Sequence, residues 1–63
     1  MDLITTPNLA DPDATYAAVL ACHKGLTAAQ SAAFNARLNL ILMNHLGDAG
    51  ALKQALDLAA DAG

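Results

Sequence analysis

Two glycines punctuate this chain, and each stands just ahead of a residue suited to start a helix. Gly25 precedes Thr27, and Gly47 precedes Asp48. Glycine readily takes the left-handed backbone that ends a helix, while Thr and Asp accept the unpaired N–H groups that open one. A stop followed so closely by a start leaves connections of about two residues. The three stretches so defined are dominated by alanine (16 of 63 residues) and leucine (11). Val, Ile and aromatic residues are scarce, so the stretches favour helix over strand. The expected fold class is all-α: a small antiparallel three-helix unit over residues 11–63, built as consecutive helical hairpins and preceded by an extended N-terminal arm over residues 1–10.

The arm holds Thr5, Thr6, Pro7 and Asn8, which are poor helix formers, with Leu3, Ile4 and Leu9 available to pin it to the helices. Asp11-Pro12-Asp13 starts the first helix: Asp11 caps, Pro12 suits the first turn, and Asp13 favours the positive end of the dipole. That helix is predicted to run to about Lys24, with Tyr16, Val19, Leu20 and His23 on one stripe and an uncharged face of Ala14, Ala17, Ala18 and Ala21 opposite. Thr27 and Gln30 form a capping-box pattern opening a second helix from Ala28 to about Leu46. Asp48 caps a third, from Ala49 to about Ala60, whose Leu52, Ala55, Leu56 and Ala59 face inward. Asp57 and Asp61 repel at i,i+4 near its negative end, so its tail is expected to fray.

Charge and length exclude several functions. Three basic residues, Lys24, Arg37 and Lys53, stand against six aspartates, for a net charge of −3. A nucleic-acid or anionic-membrane binder needs clustered positive charge, so neither partner is expected. The strongly apolar run Leu40 to Met43, like every other apolar run, is far short of the ~20 residues that span a bilayer. Asp2 replaces the basic start of a secretory signal, and a cytoplasmic location is expected. With the single cysteine Cys22, no internal disulfide can staple the domain. Chains below ~70 residues commonly gain the missing stability by association.

The central helix is too apolar for its neighbours. Phe34, Leu38, Ile41 and His45 share one stripe, Leu42 and Leu46 lie 80–120° away, and Leu40 and Met43 sit near the far side. Two helices and a short arm cover about two of these directions, unless the arm folds over the remainder. An uncovered apolar surface marks an interaction site. The expected partner-binding residues are Phe34, Leu38, Leu40, Ile41, Leu42 and Met43, with Asn35, Arg37, Asn44 and His45 as polar contacts at the rim. The partner is either a larger enzyme subunit or a second copy of this chain.

Catalytic chemistry finds no foothold. In an antiparallel hairpin His23 and His45 lie roughly 25 Å apart, so one chain cannot bring both to one metal. Cys22 and His23 point about 100° apart on a helix, poor geometry for a thiolate–imidazole pair. Each histidine stands in a last helical turn, where it can bond terminal carbonyls. The aspartates are accounted for by helix starts and a solvated face, and Asn35 and Asn39 could bond each other at i,i+4. No catalytic residue, metal ligand set or cofactor site is predicted.

The segments Asn35-Ala36-Arg37-Leu38 and Asn44-His45-Leu46-Gly47-Asp48, with Pro12-Asp13-x-x-Tyr16, His23-x-Gly25-Leu26-Thr27 and Ser31, resemble a family of very short bacterial proteins of unknown function, DUF2783. The similarity covers about residues 8 to 59. Lys24 departs from the acidic residue that the family carries there. The resemblance implies an accessory role, since genes of this kind sit beside those of flavin-dependent aromatic hydroxylases in bacterial catabolic clusters. It singles out Asn35, Arg37, Asn44, His45 and Asp48 as the polar positions to follow.

Overall fold

The computed structural model describes residues 1–62, with Ala62 described through its backbone alone; residue 63, the last of the predicted domain, lies outside the described residues. Three helices follow one another: α1 (Pro12–His23), α2 (Ala28–Leu46) and α3 (Ala49–Ala62). No strand occurs among the described residues, and the fold is all-α.

Each helix start is built by the residue the sequence offers for it. The Asp11 carboxylate accepts the Ala14 N–H at 3.0 Å ahead of Pro12. At α2 the reciprocal capping box is complete: Gln30 N–H donates to Thr27 Oγ1 at 3.1 Å, and Thr27 N–H donates to Gln30 Oε1 at 2.9 Å. These bonds satisfy donors that the helix itself leaves unpaired. The stops are equally local. Lys24 leaves the helix in extended backbone and Gly25 follows at φ +82°. Gly47 closes α2 at φ +64°, its N–H donating to Met43 O at 3.0 Å. Both glycines occupy the left-handed region that side-chain-bearing residues enter at a penalty. α3 extends to Ala62, two residues past the end expected for it. Lys53 Nζ reaches the Asp57 carboxylate at 2.9 Å, which offsets the repulsion between Asp57 and Asp61.

Between the helices the result differs from a closed bundle. The short connections led to an expectation of antiparallel neighbours packed along their lengths, yet the helices touch one another only marginally. The radius of gyration is 13.3 Å, where a compact chain of this length has about 11 Å. Ala51 is the one fully buried hydrophobic residue described. The physical reason lies in side-chain size and sidedness. α1 distributes its apolar residues almost evenly around its axis, so no direction of approach is strongly favoured. Alanine faces also bury little area per contact, and two aromatic residues cannot fill a core.

The first eleven residues form no helix or strand. Their attachment is polar rather than apolar. Leu3 N–H donates to Gln54 Oε1 at 2.7 Å, and Gln54 Nε2 donates to Asp2 Oδ1 at 3.4 Å. Leu3 is half-buried, whereas Ile4 and Leu9, expected to pin this segment, are exposed. The segment thus starts along α3 and leaves α2 uncovered.

Because the helix ends carry so much of the order, removal of one cap should be felt by the whole chain. Thr27→Ala is expected to lower unfolding stability by about 1 kcal/mol in chemical denaturation. Asp57→Ala, which breaks only an exposed pair, should leave the transition almost unmoved. Equal effects from the two substitutions would contradict this account.

Candidate functional site

The most distinctive surface lies between α2 and α3. Asn39, Leu42, Met43 and Leu46 repeat at i, i+3, i+4 and i+7 along α2; Leu52, Ala55, Leu56 and Ala59 repeat at the same spacing along α3. Residues so spaced fall on one helix face. The two stripes line an open-sided groove of about 360 Å³, with Asn39 its single polar residue. The α3 stripe is the inward face predicted from the sequence. Both walls are only partly covered: Leu56 on α3 is 60% exposed and Leu42 on α2 54%.

A second apolar direction on α2 is rotated from the groove stripe by about 120°. It contains Phe34, Leu38, Ile41 and His45. Its two ends meet different fates. Phe34 and Leu38 are half-buried, and the Phe34 ring meets His23 edge-on with centroids 4.8 Å apart. Ile41 is 64% exposed, as is Leu40 on the remaining side of the helix. Of the ten residues expected to bind a partner, the structure thus brings Leu42 and Met43 into the groove and leaves Leu40 and Ile41 outside it. Phe34 and Leu38 lie toward the α1–α2 corner. Asn35, Arg37, Asn44 and His45 are all exposed around α2.

That corner contains a contact the sequence did not reveal. His23 Nδ1 lies 2.9 Å from Ser31 Oγ, spanning the connection between α1 and α2. Which atom donates depends on the tautomer. The last-turn position of His23 suggested a bond to terminal carbonyls, whereas its ring turns outward from α1 to Ser31 and Phe34. The only available signal was that Ser31 and Phe34 lie one helical turn apart on α2, facing the same way. Cys22 on α1 is an exposed free thiol. Among the described residues, no group of three or more His, Cys, Asp or Glu side chains is placed to hold a metal ion. No described helix is long and apolar enough to cross a membrane.

Asp48 provides the other polar junction. Oδ1 accepts the Ala51 N–H at 2.8 Å, capping α3, while Oδ2 faces the N-terminal ammonium at 3.2 Å. Gly50 leaves the carboxylate room, since a Cβ there would lie 3.3 Å from Oδ1. The Ala51 N–H, and after it the hydrogen bond from the ammonium, hold the Asp48 carboxyl below the usual carboxylate range; partial burial opposes them more weakly.

The family model described as a protein of unknown function (DUF2783) matches residues 3–61. The chain belongs to the DUF2783 family. The match takes in all three helix starts and nearly all of the DUF2783 chain, extending the resemblance read over residues 8 to 59 at both ends. No curated protein and no solved structure matches it.

The lowered Asp48 value fixes the sign of one pH effect. A carboxyl that ionises more readily when folded contributes stability above its unfolded pKa and loses it as pH falls through the folded value. Wild type should therefore lose stability progressively below about pH 4. Asp48→Asn should be less stable at neutral pH and show a shallower acid decline, read from thermal melts across the acid range. Parallel declines for the two proteins would contradict the assignment.

Proposed function

We propose that this chain is a non-catalytic accessory subunit, acting in the cytoplasm, which docks on a larger bacterial enzyme and stabilises it. The family resemblance suggests a flavin-dependent aromatic monooxygenase as the class of enzyme. The observation that carries the reading is the outward exposure of Leu40 and Ile41, each 64% accessible on a helix that already offers a second apolar direction to the groove. Large apolar side chains left uncovered on adjacent faces of a helix belong to interaction surfaces. Arg37 and Asn44 lie between Leu40 and Ile41 on the wheel, about one turn before and after Leu40, where they supply polar contacts within the docked surface. Phe34 and Leu38 support this face from the α1 side. The docked chain would act by covering apolar surface on its partner or by shaping an entrance to the partner's cofactor or substrate site.

Affinity purification of the tagged chain from its native cell tests this reading. The expected result is a stoichiometric enzyme that is retained by wild type and lost with the Leu40→Glu/Ile41→Glu variant, the variant keeping its helical circular dichroism. Both residues are largely exposed in the isolated chain, so their replacement removes little internal packing. Recovery of wild type with no stoichiometric enzyme, or undiminished retention by the variant, would overturn the proposal.

A further inference from the structure

We infer that the groove between α2 and α3 is a self-association site occupied by a second copy of this chain. Three observations converge on that occupant. The first is area. The chain exposes 5229 Å², whereas a compact protein of its 6.4 kDa mass exposes about 3,800 Å². The excess of roughly 1,400 Å² is spread over the whole chain and includes the groove walls at Leu42 and Leu56; it leaves room for the ~800 Å² per partner that a standard interface covers. The second is shape and charge. Both groove walls carry apolar residues at i, i+3, i+4 and i+7, the spacing at which helices pack against helices. No charged residue lines the groove, so two copies that each carry −3 can meet there without opposing like charges at the seam.

The third observation is Asn39, the one polar residue among the groove's apolar liners. An apolar partner covering it would strand its amide without hydrogen bonds. A second copy brings an identical amide, which is both donor and acceptor, and a two-fold axis passing beside Asn39 would set the two amides against each other. A single asparagine at such a position is a known means of fixing helix register. In the resulting dimer the stripes of α2 and α3 from each copy form one four-helix core. Leu40 and Ile41 stay outside it, so this inference stands independently of enzyme docking.

The test uses the purified full chain. Sedimentation equilibrium should give about twice the 6.4 kDa chain mass, and the melting temperature should rise with protein concentration, as a folded dimer requires. Leu56→Glu, at a position 60% exposed in the single chain, should halve the mass and abolish the concentration dependence. Leu40→Glu/Ile41→Glu, outside the groove, should leave both unchanged, which separates this interface from the enzyme-docking face. Should Leu56→Glu fail to fold, the wild-type concentration dependence still decides the matter. A wild-type monomer with a concentration-independent melt, including one that only gains stability on adding an enzyme, would overturn the inference. So would a dimer unaffected by Leu56→Glu.

Discussion

The Asp48 carboxylate ties two segments of the chain together at the start of a third. One oxygen closes the first turn of α3, the other faces the N-terminal ammonium, and the residue itself follows directly on the glycine that ends α2. A small protein with a filled core can treat such contacts as trimming. Here they are a large share of what gives the chain a shape, because Ala51, which donates to this carboxylate, is the one fully buried hydrophobic residue described. Polar contacts at half-exposed sites are screened by water and contribute modestly. The organisation is therefore strong within each helix and weak between helices.

That division explains what was legible in the sequence. Caps depend on groups within three or four residues of one another, so Asp11, Thr27, Gln30 and Asp48 could be assigned from spacing alone, and all four act as expected. The inward face of α3 was equally plain, since a polar face with Lys53, Gln54 and Asp57 leaves one direction for burial. How the helices approach one another was not legible. The alanine surface of α1 is alike in several directions, and α2 is apolar on more than one. Where hydropathy does not distinguish faces, packing direction is set by small differences in contact that no periodicity records. Asn39 illustrates the limit: spacing paired it with Asn35, whereas the fold sets it among leucines at the groove.

The attachment of the N-terminal segment shows the same limit from another side. Ile4 and Leu9 looked like anchors because they are apolar, but an anchor needs a receiving surface within reach. The backbone of Leu3 instead meets the amide of Gln54 on the polar side of α3. By lying along α3, the segment leaves the apolar directions of α2 open. Leu40, Ile41 and Leu42, which a segment folded across α2 would cover, thereby stay exposed.

The His23 contact has a mechanical meaning. α1 makes no extended packing with α2, yet its last residue is held across the connection by a bond to Ser31 and an edge-on approach to Phe34. An imidazole with one hydrogen bond and one aromatic neighbour acts as a wrist: it sets the direction in which the helix leaves while adding little to the helix itself. Loss of that joint would leave α1 intact and change where it points. The direction of twelve residues, including the uncharged alanine face they carry, thus rests on this ring together with the turn at Lys24 and Gly25.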